Sequence, residues 1–211
     1  MNGISFLLCC LSCFCLAQRT EYFSTSQHII RPHQYKINIV QKNYKNTAVV
    51  YFDLFSKSKN KWVKIQSGHF NKQTDFALTV STDEDLNNDG YKDLKISYAQ
   101  AARGANEIEK LLIFNPKTQK LVEIINSHEY PNLHYNAKRN CVNSYMFYGG
   151  NTTLFLRIHK NKLEEFGKVE FSNDSIYSYK IKNGREILLI KKPYQSDDAA
   201  VFFSNFDPIE E

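Results

Sequence analysis

The sequence predicts an all-β protein built from antiparallel hairpins, in a sandwich-like or propeller-like arrangement. Three observations carry that expectation. Aromatic residues make up 14% of the chain, with 13 Tyr and 15 Phe, residue types that fit a pleated, half-buried surface. Short runs of alternating apolar and polar residues recur along its length, separated by Asn-, Gly- and Pro-containing turns. No stretch carries an apolar stripe of helical period over three turns. At 211 residues and 42% hydrophobic, the chain is long enough for one cored domain.

Residues 4–17 form an apolar leader that ends in Leu16-Ala17-Gln18, a small-residue cleavage site. The reading is a signal peptide over 1–17 followed by a single domain over 18–211, although Lys and Arg are missing from its first residues. The leader is too short to span a bilayer, so no membrane span is expected. A lipid-anchored variant acylated at Cys13 is the alternative. Cys9, Cys10, Cys13 and Cys15 lie in the leader, which leaves Cys141 as the one cysteine of a mature secreted or periplasmic chain and excludes an internal disulfide.

Residues 19–32 are polar and read as an irregular lead-in. Tyr35–Val40 alternates as a strand, and Ala48–Phe55 is a buried strand that the polar residues 57–60 return into Trp62–Ile65. Ser67-Gly68-His69-Phe70 reads as a turn after that strand. Residues 76–80 and 94–98 flank an Asp-rich loop, and 99–106 is small and polar, hence a second loop. Residues 110–114 and 120–125 surround a Pro-containing turn, and 130–134 is a connector. Residues 142–148 and 152–159 flank Gly149-Gly150-Asn151. Residues 163–171 follow, and 176–181 with 186–190 enclose Asn183-Gly184, the strongest hairpin signal in the chain.

Chemistry is written into one spacing. Asp85, Asn87, Asp89 and Asp93 place oxygen side chains at relative positions 1, 3, 5 and 9. Gly90 at position 6 permits a sharp turn, and Tyr91 at position 7 offers its carbonyl. That is how a short loop wraps Ca²⁺. Position 12 is Ile96 in place of the bidentate Glu of a helix–loop–helix site, and the residues that follow alternate like a strand. The competing reading is an Asn/Asp/Gly hairpin turn without metal.

Other constellations are excluded or left open. The charge of +5 is spread along the chain without a dense basic run, so nucleic acid is not an expected partner. His128 and His134 stand six apart across a proline and cannot share a helical face, so zinc is not expected. No nucleophile elbow or phosphate loop is present, and a carboxylate pair for glycoside hydrolysis cannot be picked out from 22 acids. An enzyme is therefore not expected.

The Asp85–Leu94 loop, followed by Phe114–Thr118, Tyr130–Leu133, Asn140-Cys141 and Phe147–Gly150, resembles secreted bacterial calcium-binding β-proteins. These include FG-GAP-type repeats and the periplasmic inhibitors of lysozyme-like enzymes, some of which act as immunity proteins. The resemblance covers roughly residues 76–171. It implies a propeller-like fold with one calcium and a protein partner, a bacterial peptidoglycan hydrolase. A chain of net +5 would be repelled by a strongly basic lysozyme, which favours an acidic or neutral client. Such inhibitors plug the enzyme cleft with a loop of Ser-Gly-x-x-Tyr type, and Ser67-Gly68-His69-Phe70 departs from that pattern. The candidate contact residues are Ser67, Gly68, His69, Phe70, Arg103, Tyr148 and Asn151. The alternative is a structural or adhesive cell-surface module with a calcium-rigidified loop.

Overall fold

A computed structural model describes residues 19–211 except 73, 197 and 199; the leader expected over 1–17 lies outside the described residues. The fold is all-β and antiparallel, as the alternation predicts. Three open sheets follow one another along the chain. The first is a four-stranded meander of β1 (Thr20–Thr25), β2 (Tyr35–Asn43), β3 (Ala48–Ser58) and β4 (Lys61–Lys72). The second joins β5 (Val80–Ser81), β6 (Leu94–Ala101), β7 (Asn106–Asn115) and β8 (Lys120–Glu123). The third runs in chain order from β9 (Leu133–Asn136) through β10 (Cys141–Phe147), β11 (Asn151–His159), β12 (Lys162–Ser172) and β13 (Ser175–Lys182) to β14 (Arg185–Pro193). A small hairpin, β15 (Asn205–Phe206) with β16 (Ile209–Glu210), closes the chain.

The sheets stack face to face, and the side-chain period of two decides which core each residue joins. Ile37, Ile39, Val50, Phe52 and Leu54 of the first sheet pack against Leu94, Ile96, Leu112 and Phe114 of the second. The alternate residues of β7, Leu111 and Ile113, face the other way and meet Leu133, Val142, Leu154, Leu156 and Leu163 of the third. On the far face of the third sheet, Phe155, Val169 and Ile176 meet Val201, Phe203 and Phe206 of the tail. The second sheet and the central strands of the third are thus covered on both faces. This is why burial does not alternate along them: four residues in a row are buried at the start of β6, Leu94–Ser97, and six at the start of β11, Asn151–Leu156.

Tight turns set the hairpin registers. Asn183 and Gly184 both take positive φ, 53° and 70°, the backbone of a two-residue turn that matches strand twist. Lys59-Asn60 and Asn173-Asp174 do the same without glycine.

Two expectations are corrected. Residues 20–25 are a strand, paired from Thr20↔Lys42 to Thr25↔Ile37 along the edge of β2, where the sequence reads as lead-in. Ser67-Gly68-His69-Phe70 is no loop: it lies inside β4, paired with Asp53, Phe52, Tyr51 and Val50. Gly68 is there because a Cβ would drive into the Phe52 ring across the strand pair.

Candidate functional site

The Asp-rich loop hangs from the second sheet and is closed on itself. Asp85 accepts from the Asp89 and Gly90 N–H groups at 3.1 and 2.7 Å. The Asn87 amide donates to Asp89 at 2.9 Å, and Asp89 accepts from the Tyr91 N–H at 3.0 Å. Gly90 takes φ +84°, the turn the sequence predicts. Tyr91 packs on Phe114, with the Arg31 guanidinium 4.5 Å over its ring, and Lys92 pairs with Ile30 through two main-chain bonds.

Asp93 differs from its neighbours. It is only 2% exposed, and its carboxylate accepts from the Leu86 N–H at 2.8 Å and the Phe114 N–H at 3.2 Å. It therefore fastens the loop to β7. Burial pushes it up to about 7 against the pull of these two N–H groups, and Asp89 and Asp85 add to the rise by repulsion. Among the described residues no group of three His, Cys, Asp or Glu side chains is gathered to hold a metal ion. Asp85, Asn87, Asp89 and the Tyr91 carbonyl share the loop, while Asp93 is committed to the core.

Immediately before the loop, Glu84 enters a cleft of about 390 Å³ lined by Thr79, Lys95, Glu107, Glu109, Asn132 and His134 among others. Lys95 projects into it from β6, between the buried Leu94 and Ile96, and its ammonium binds Glu84 at 2.7 Å, the Leu133 carbonyl at 2.7 Å and Glu109 at 3.5 Å. The two carboxyls respond in opposite directions. Burial raises Glu84, but hydrogen bonds from His134 and Lys95 and their charges outweigh it and hold the group at about 2. For Glu109 burial prevails over Lys95, and the carboxyl rises to about 7. Sequence reasoning missed this cluster. Its signal was a Lys between Leu94 and Ile96 and a Glu at an inward position of β7.

The cleft adjoins the two remaining candidate loops, which the fold joins. Asn106, at the start of β7, exchanges two hydrogen bonds with the Phe147 main chain, N–H to Oδ1 at 2.9 Å and Nδ2 to carbonyl at 3.0 Å. Asn132 donates to the Ala105 and Tyr145 carbonyls at 2.8 and 2.9 Å and accepts from the Glu107 N–H at 3.0 Å. The turn that bears Arg103 is thereby fixed beside the turn that bears Tyr148. Arg103 is exposed, with φ 56°. Tyr148 is 56% exposed, and its hydroxyl bonds Thr152 at 2.7 Å. An aromatic strip continues from it: Phe147 stands edge-on to exposed Phe202, which lies 4.4 Å from Tyr145, which in turn faces His134 at 5.8 Å.

The other contact candidates fall elsewhere. Asn151 is buried, its amide turned to the Val201 main chain, and is a core residue of the tail contact. Ser67 is tied to Asp53 at 2.6 Å, His69 stacks on Tyr51, and Phe70 packs on the first core. Arg103 and Tyr148 share one end of the stack; Ser67–Phe70 lies on the face of a strand. Cys141 is buried, and burial pushes its thiol up to about 11, as fits a small core residue.

No helix among the described residues is long and apolar enough to cross a membrane. No family model and no curated protein sequence matches the chain. Among solved structures, the fold is similar to one described as a Xanthomonas Type IV secretion system related protein, at 8% identity and TM-score 0.53, over 80% of this chain and 93% of that one. The likeness is one of fold: an open, antiparallel all-β architecture shared across almost the full length of the Xanthomonas chain.

Proposed function

We propose that the chain is an exported binding protein that inhibits a lysozyme-like peptidoglycan hydrolase, in the manner of an immunity protein, and that it acts by binding and not by catalysis. The observation that carries this reading is the junction of Asn106 with Phe147. It sets the Arg103 and Tyr148 turns side by side next to a polar cleft and an exposed aromatic strip. Such a rigidly held projection, with aromatic and Arg anchors, is what a surface needs to enter another protein's cleft. The fold likeness to a secretion-system related protein is in keeping with it.

In the same reading the Asp85–Asp93 loop takes one Ca²⁺ through Asp85, Asn87, Asp89 and the Tyr91 carbonyl, while Asp93 anchors the loop from the core side through the Leu86 and Phe114 N–H groups. A carboxylate oxygen that already accepts an N–H keeps a second lone pair for a cation. The mutual repulsion of Asp85, Asp89 and Asp93 favours a divalent counter-charge. The ion would brace Glu84, and with it one wall of the cleft.

The test is a cell-wall lysis assay with a panel of bacterial hydrolases. Wild-type protein at micromolar excess should suppress lysis by one of them, and Tyr148→Ala should lose the effect while melting as wild type. No suppression by folded, calcium-supplied protein overturns the reading. A structural or adhesive module is then the stronger one, favoured by β14: its outer edge has no strand partner among the described residues and exposes Ile187, Leu188 and Leu189.

A further inference from the structure

The tail from Val201 to Phe206 covers the far face of the third sheet without joining it as a strand. It is held as a bound peptide is held. Val201, Phe203 and Phe206 are 5%, 0% and 4% exposed and fill seats against Cys141, Phe155, Val169 and Ile176. Phe206 lies over Gly167, where any Cβ would strike its ring, and the Arg139 guanidinium covers it at 4.4 Å.

Its main chain is read by side chains from four strands. Thr153 accepts from the Phe203 N–H at 3.2 Å, and Asn143 donates to the Phe203 carbonyl at 3.2 Å. Asn136 donates to the Ser204 carbonyl at 2.9 Å, and Ser178 donates to the Phe206 carbonyl. The Asn151 amide takes both the carbonyl and the N–H of Val201, at 2.7 and 3.3 Å. All five side chains are buried. Burying an amide or hydroxyl is unfavourable unless it is paired, and on this sheet face the extended segment laid across it supplies the partners.

We infer that this face is a peptide-binding groove occupied in cis, and that it binds the segment 200–211 without the covalent link, so that the tail of a second copy can take the place of the chain's own. The recognised pattern is an extended peptide with apolar residues at the spacing of Val201, Phe203 and Phe206. Exchange of an identical segment between copies is a low-cost route to association when the contacts are preserved. This inference does not depend on the inhibitor reading.

The test places a protease site across 195–199 of the full chain, cuts it, and adds fluorescently labelled peptide 200–211 as the stand-in for a second copy's tail. The cleaved chain should stay folded by circular dichroism and take up the label with a micromolar Kd. A peptide carrying Phe203→Ala should bind at least about tenfold more weakly. Asn143→Ala in the groove should weaken the wild-type peptide by about tenfold, since it removes the bond to the Phe203 carbonyl and the Oδ1 that accepts from Asn136, the donor to the Ser204 carbonyl. A cleaved chain that unfolds when its tail leaves overturns the proposal, because the tail is then part of the fold and not a ligand. So does a folded cleaved chain that takes up no label at 100 µM, or one that binds a scrambled peptide equally well.

Discussion

Lys72 ends β4 with its side chain 1% exposed and makes no salt bridge among the described residues. Its ammonium is satisfied by the Gln41 Oε1 at 2.9 Å, the Phe76 carbonyl at 3.1 Å and the Ser97 hydroxyl at 3.3 Å. Glu21 acts only at one remove, through its bonds to Gln41 and Asn43. Burial lowers the lysine to about 8 from 10.5, with Glu21 and Asp75 opposing. Between the two values the unfolded chain holds a proton that the folded chain has released, so stability rises with pH across that window. Below the folded value the fold carries the charge at a cost of about 3 kcal/mol, of which about 2 kcal/mol is relieved between roughly pH 7 and 9.5. The assay is urea unfolding at fixed ionic strength over that range, for wild type and Lys72→Met. Wild type should gain stability with pH relative to the variant, which has no proton to lose. At neutral pH the two should lie close together, because relief of the buried charge offsets the lost hydrogen bonds. Parallel pH profiles for the two proteins would refute the argument, and show that the lysine stays charged in the core without penalty.

Three further outcomes are expected. Millimolar calcium should raise the melting temperature, by the equivalent of about 2.7 kcal/mol if free calcium stands at roughly a hundred times Kd, and Asp89→Ala should abolish the increment; calorimetry showing no heat of calcium binding, with a melt indifferent to chelator, points to a plain turn. Gly68→Ala should destabilise by about 1–3 kcal/mol through its clash with Phe52, as read by denaturant midpoint, whereas a surface loop would tolerate it. Asn106→Ala should cost about 1–3 kcal/mol, since it strands a half-buried N–H and carbonyl of Phe147, and hydrogen exchange should quicken in the 101–105 and 148–150 turns together.

Much of the fold was legible because hairpins are local. Asn183-Gly184 specifies its own turn, and the alternation around it specifies which residues turn inward, so the strands from Cys141 to Pro193 follow from neighbours in sequence. The Asp85–Gly90 turn is local in the same sense: its hydrogen bonds span two to five residues, and Gly90 in the sequence signals the sharp turn they close. What failed depended on distant partners. Ser67-Gly68 reads as a turn because glycine is common there, yet the glycine answers to Phe52, sixteen residues away on the next strand. Thr20–Thr25 has too few apolar residues to declare a strand and becomes one only along the free edge of β2.

The candidate site divides the same way. Arg103 and Tyr148 stand out in the sequence as exposed loop residues, but their adjacency is set by Asn106 and Phe147, forty-one residues apart. Asn151 reads as the end of a glycine turn, and only the returning tail makes it a buried anchor. Local turn chemistry and side-chain period are properties of a few consecutive residues, and the sequence by itself determined the hairpins and the loop that carries the acids. Which face meets which sheet, which charges are buried together and which turns share one end are properties of the stack. Those the tertiary structure alone decided, because they rest on contacts between residues that the chain holds far apart.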